Sequence, residues 1–170
     1  MQNTNVYAKI RQREANGGMK WINHQIVTGV VVYAATNSLL YAVYSMAGTV
    51  LPDKLEGDPR RAASYWSWRS RHRGWSHWPV PYLFVIACLL LVEKGNLAAL
   101  DMWNVSLITI YIMVGSLLHI LEDALCGKVP LVSLSEKIGL KLFKVGSFRE
   151  YFCCIALVLL VYLVKLCAAG

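Results

Sequence analysis

The chain has 170 residues, of which 56% are hydrophobic, and a formal net charge of +7. That length fits one domain, and a mean hydropathy of +0.45 is too apolar for an ordinary soluble one. The apolar residues come in long uncharged blocks, which predicts an all-α, polytopic membrane helical bundle of about five helices.

Residues 1–20 are polar and basic and read as an N-terminal arm, mobile or a short surface helix. Residues 21–170 form the membrane-embedded domain. No small-residue cleavage site follows the first apolar block, so a removable signal peptide is not expected. Residues 25–51 pose a geometric problem. As one helix they would run about 40 Å, against a hydrocarbon core of about 30 Å. Thr36-Asn37-Ser38 in the middle is turn chemistry, so two readings stand, one tilted helix or a hairpin of two short helices turning near Asn37.

The stretch LPDKLEGDPRRAAS then reads as a surface loop, followed by WSWRSRHRGWSHW. A helix is expected from Pro79 or Pro81 to about residues 93–96, because proline suits a first helical turn. The next should span about 103–125 and stop at Gly127. Residues 127–149 form a basic loop with a short amphipathic stretch at 134–143. A last helix is expected over about 150–167.

Lysine and arginine set the orientation. With the Asn37 turn and the 93–101 loop on one side, only Lys94 and Lys165 lie there, and all other lysines and arginines lie opposite. The basic side should be cytoplasmic. One long helix over 25–51 would split the basic segments between both faces, so the charge rule favours the hairpin. The five cysteines include no CxxC pair and read as small buried apolar residues rather than a disulfide framework.

Under this topology His24, His72, His77 and His119 all fall on the basic side. His119 and Asp123 are spaced i, i+4 on one helical face, with Glu122 beside them. A histidine and a carboxylate one turn apart can bind one metal ion together. The competing reading is an ordinary hydrogen-bonded pair in a membrane helix. Likewise Arg60, Arg61, Arg69, Arg71 and Arg73 read equally as positive charge beside anionic lipid, and Trp66, Trp68, Trp75 and Trp78 as an interfacial belt.

LPD at 51–53, HRGWSHW at 72–78 and GSLLHILEDALCGKVPL at 115–131 resemble the signature of a family. It is the YdjM-like family of small bacterial inner-membrane proteins, described as metal-dependent hydrolases, with a motif logic similar to zinc-dependent phospholipase C. KVGSFREYF at 144–152 resembles its closing loop and last helix, so the resemblance covers about residues 20–165. It implies metal ligation by His24, Asp53, His72 or His77, His119 and Asp123. It also implies one or two divalent ions, zinc first among them, with manganese or iron also suited. Asp53 or Glu122 would orient a water, and Arg73, with Arg71, would hold a phosphoester. The family's second aspartate after LPD is absent here, where Glu56 and Asp58 are the nearby carboxylates, and its threonine after DxxT is Cys126.

The implied substrate is a phosphoester of a lipid or lipid-linked molecule at the cytoplasmic face of the inner membrane. The implied partners are membrane lipids. No nucleic acid is expected, because no nucleic-acid-binding fold surrounds the arginines. The alternative is a non-catalytic membrane scaffold in which a metal ties short helices together.

Overall fold

The computed structural model describes residues 21–57, 72–94, 103–144 and 146–169. The expected N-terminal arm, Asp58, Arg60, Arg61, Trp66, Trp68, Arg69, Arg71 and the loop after Lys94 lie outside the described residues. The described residues form an all-α bundle. Its elements are α1 (Trp21–Thr36), α2 (Leu39–Gly48), α3 (Leu51–Glu56), a 3-10 turn (Trp75–His77), α4 (Pro79–Lys94), α5 (Trp103–Cys126) and α6 (Phe148–Ala169). Two short antiparallel strands, β1 (Val129–Pro130) and β2 (Lys137–Ile138), pair Val129 with Ile138.

The apolar block 25–51 is a helical hairpin, the alternative that the charge rule favoured. Asn37 takes φ 54°, a left-handed conformation that asparagine tolerates better than most residues. Ser38 then caps α2 by accepting a hydrogen bond from the Tyr41 amide. Gly29 of α1 lies against Met46 of α2, so the two helices pack side by side.

Helix α5 is the hub, touching α1, α2, α3 and α4. Its crossing with α2 is close because both helices present glycine there. A Cβ on Gly48 would overlap the Ile112 carbonyl, and one on Gly115 would overlap the Ser45 carbonyl. Hydroxyls stitch the same seam. Ser45 donates to Tyr111 O at 3.0 Å, and Ser116 donates to Gly48 O at 2.9 Å. Small residues and interhelical hydroxyl bonds are what helices use where apolar burial alone gives little preference.

Residues 134–143, expected as a short amphipathic stretch, form no helix. The segment is extended and crosses the end of α5, where Leu140 and Leu142 donate to Ala124 O and Leu125 O at 2.8 and 2.7 Å. The last carbonyls of a helix lack internal partners, and the extended strand supplies them. A Cβ on Gly139 would strike the Gly127 carbonyl, which explains how closely the strand lies. Lys141, at φ 53°, takes the left-handed conformation, which no right-handed helix contains.

Two helical segments, Val105–Cys126 and Phe148–Ala168, are long and apolar enough to cross a membrane. Ile155, Leu159, Leu160, Leu163 and Val164 of α6 are all exposed. At its far end Lys165 donates to Asn37 Oδ1 at 2.7 Å and sits over the Tyr33 ring. The end of α6 and the hairpin turn therefore share one end of the bundle.

Candidate metal centre

The other end holds the histidines. His24 lies in the first turn of α1, Asp53 in α3, and His77 closes the 3-10 turn just before Pro79 starts α4. His119, Glu122 and Asp123 occupy the last two turns of α5. His24, His77, His119 and Asp123 are all at most 2% exposed. The Asp53 side chain, at 23%, is the open edge of the cluster.

Five donors converge. His77 Nε2 is 3.4 Å from Asp53 Oδ1 and 3.5 Å from Asp123 Oδ2. His119 Nε2 is 3.6 Å from Asp53 Oδ1 and 4.0 Å from Asp123 Oδ2. His24 Nε2 is 3.6 Å from Asp123 Oδ1. The His24 and His119 rings lie 4.1 Å apart and those of His77 and His119 5.4 Å. The Nε2 atoms of His24, His77 and His119 are buried and have no hydrogen-bond partner among the described residues.

These separations are too long for good hydrogen bonds. They match the spacing of atoms around a shared ion, because ligands about 2.1 Å from a tetrahedral metal sit about 3.4 Å from one another. Two overlapping groups satisfy this, His24–His119–Asp123 and Asp53–His77–His119. Neutral imidazole with carboxylate suits zinc, and also manganese or iron.

Surrounding groups aim the donors. Glu122 Oε2 lies 2.5 Å from His24 Nδ1, and Thr28 donates to Glu122 Oε1 at 3.1 Å. Ser76 Oγ lies 3.0 Å from His77 Nδ1. Both contacts occupy Nδ1 and turn Nε2 toward the cluster, the arrangement that fixes the tautomer of a metal-binding histidine. Trp21 Nε1 donates to Asp53 Oδ2 at 2.6 Å, leaving Oδ1 for the histidines. Behind α1, the buried Glu150 accepts from Asn23 at 2.6 Å and from the Gly146 amide, which docks α6 beside His24.

Arg73 faces the cluster rather than solvent. Its Nε is 2.7 Å from Asp123 Oδ2, and Nη2 donates to Asp123 Oδ1 at 3.0 Å and to Cys126 Sγ at 3.3 Å. The guanidinium packs against Gly127, where a Cβ would overlap it. His72 stands outside both donor groups. Its Nδ1 is 2.6 Å from Glu56 Oε2, and Glu56 also accepts from the Arg73 amide. Glu56 thus holds the HRG segment in place.

Charge is balanced locally. Burial opposes ionisation of Asp53, but His119 and His77 beside it hold its carboxyl well below the usual carboxylate range. Burial likewise opposes a charged His77, but Asp123 and Asp53 outweigh it and raise its pKa to about 9. Burial disfavours the Arg73 cation too, and the Asp123 carboxylate more than restores it. The site therefore attracts positive charge strongly, whether as protons or as a metal ion.

Sequence reasoning missed Thr28 and Trp21, whose partners lie far along the chain and leave no local signal. Ser76 was legible only as a motif letter. No family model matches this chain, and no curated protein or solved structure is detectably similar to it.

Proposed function

We propose that this chain is a multi-pass protein of the bacterial inner membrane, of the YdjM-like kind, and that its histidine cluster holds one or two divalent ions, zinc first. In this reading it hydrolyses a phosphoester of a lipid or lipid-linked substrate at the cytoplasmic face. The observation that carries the metal is the convergence on two carboxylates of three imidazole nitrogens that have no hydrogen-bond partner among the described residues. A bound divalent ion would supply an acidified water and charge stabilisation for such a reaction.

The residues divide the work. His24, His77, His119, Asp53 and Asp123 would hold the ion. Glu122 keeps Nδ1 of His24 occupied and orients that ring. Asp53, the exposed donor, stands where a water would enter and would orient it. Arg73 neutralises Asp123 and reaches the surface cavity beside the cluster, where it would meet an anionic group. The membrane setting is supported by the two long apolar segments and the exposed apolar residues of α6. The cytoplasmic orientation is supported by the excess of lysine and arginine at the cluster's end.

A second reading is a metal staple without catalysis. The near-complete burial of four donors from α1, α5 and the 3-10 turn favours it, since structural sites are closed. One experiment separates the two. Purified protein is assayed for metal content and for turnover of a phospholipid and prenyl-phosphate panel. Bound metal with turnover, both lost in His119→Ala, supports the hydrolase. Bound metal without turnover leaves the staple, and metal-free wild-type protein overturns both.

A further inference from the structure

A cavity of about 1020 Å³ opens beside the histidine cluster. His72 and Arg73 form the wall between them, and the Arg73 guanidinium that grips Asp123 also lines the cavity. The remaining wall is strongly basic. Lys128 follows α5, Lys137 comes from β2, Lys141 and Lys144 from the extended segment after it, and Arg149 from the first turn of α6. Among the described residues no aspartate or glutamate lines it. Lys137 is engaged with the His72 carbonyl at 3.2 Å. Among the described residues no ion pair engages Lys128, Lys141, Lys144 or Arg149. Ser147 Oγ, buried and with no hydrogen-bond partner among the described residues, lies on the same wall.

A charge bias that only orients a membrane protein has no reason to collect in one concavity. Here the basic side chains of residues 128–149 meet Arg73, from a segment distant in sequence, in one concavity, and a multiply charged anion relieves their mutual repulsion. One phosphate is too small and too weakly charged for the space. Cavities of about 300–1,000 Å³ hold whole drug-sized ligands, so a larger headgroup fits this one. The rim shows what the headgroup is attached to. Leu142 and Phe148 line the cavity yet are 53% and 84% exposed. The apolar surface continues along α6 through the exposed Phe152 and Ile155.

We propose that this cavity seats the diphosphate-type headgroup of a lipid-borne substrate, with the hydrocarbon chain leaving over Phe148 and along α6. The assignment rests on the reading of the cluster as a phosphoester hydrolase, which it deepens by naming the substrate class. Lys128, Lys141, Lys144 and Arg149 bind the phosphoryl oxygens, and Arg73 brings the ester bond to the cluster.

The test is calorimetric titration of the full chain in detergent, with farnesyl diphosphate and with inorganic diphosphate as probes. Farnesyl diphosphate should bind at least about tenfold more tightly than inorganic diphosphate, because its chain adds buried apolar area. The exposed pair Lys141→Ala/Lys144→Ala should weaken both by about tenfold or more, two charge-assisted contacts being lost. Lys165→Ala at the opposite end should change neither. Equal binding of the two probes makes the cavity a site for a soluble anion and overturns the lipid-borne substrate. Affinity unchanged by the double substitution overturns the site itself. Lysine-dependent binding with no turnover in any metal-loaded sample retains this site and removes the hydrolase. Turnover unaffected by the double substitution does the reverse.

Discussion

The Arg73 guanidinium grips the Asp123 carboxylate through two contacts, Nε to Oδ2 at 2.7 Å and Nη2 to Oδ1 at 3.0 Å. Asp123 is 2% exposed and Arg73 8%, so this pair holds its opposite charges inside the bundle, where Asp123 also faces His24 and His77. Removing one member of such a buried pair costs about 3–5 kcal/mol, because the remaining charge stays buried. Arg73→Ala should lower thermal stability in detergent by that order. Arg73→Lys should recover only part, since an ammonium cannot make the forked contact. Equal stability of Arg73→Ala and wild type would show that the pair contributes nothing.

Glu122 and Ser76 orient His24 and His77 without belonging to either donor group. Losing such a partner lowers metal affinity by about 10–100-fold. Glu122→Ala and Ser76→Ala should each weaken metal binding by that factor in a competition with a chromophoric chelator. His72→Ala should weaken it much less, because His72 lies outside both donor groups. A larger loss at His72 than at Glu122 would place the ion elsewhere.

The raised pKa of His77, from 6.5 to about 9, gives the metal-stripped protein a defined pH profile. Protonated His77 stabilises the fold fully below about pH 6.5, its unfolded value, and that contribution is lost as pH rises through about 9. The unfolding midpoint of chelator-treated protein should therefore fall over this window, and His77→Asn should flatten the fall. Metal affinity should run the other way, rising across the same window as the proton that competes for His77 is released. A metal affinity independent of pH would remove His77 from the ligand set.

The glycines at the α2–α5 crossing allow the two backbones to approach. Gly115→Ala should force them apart, since its Cβ would overlap the Ser45 carbonyl, a backbone atom that cannot swing away. A loss of about 1–3 kcal/mol or more is expected, the range for overpacking. Gly57→Ala meets nothing within 4 Å, although Gly57 sits at φ 89°, so its cost would come from backbone conformation alone. Thermal unfolding of the two variants distinguishes steric overlap from conformational strain.

Much of this protein was decided by the sequence alone. The length of block 25–51 and Thr36-Asn37-Ser38 left a tilted helix and a hairpin open, and the distribution of lysine and arginine favoured the hairpin that the structure contains. Apolar runs and proline placed α4, α5 and α6 to within a few residues, because helix ends are written in local chemistry. The i, i+4 spacing of His119 and Asp123 was equally legible. The extended course of 134–143 was not, because its pattern of apolar residues fits a helix locally. Only the free carbonyls at the end of α5, distant in sequence, make the extended path better.

Tertiary structure alone also chose between the two histidines of HRGWSH. The 3-10 turn carries His77 inward to Asp53 and Asp123, while Glu56 holds His72 outside both donor groups. It turned Arg73 onto Asp123, which no spacing announces. The physical reason is the same in each case. Local sequence sets helix, turn and charge, whereas the partner of a buried polar group is whatever side chain the folded bundle brings within a few ångströms.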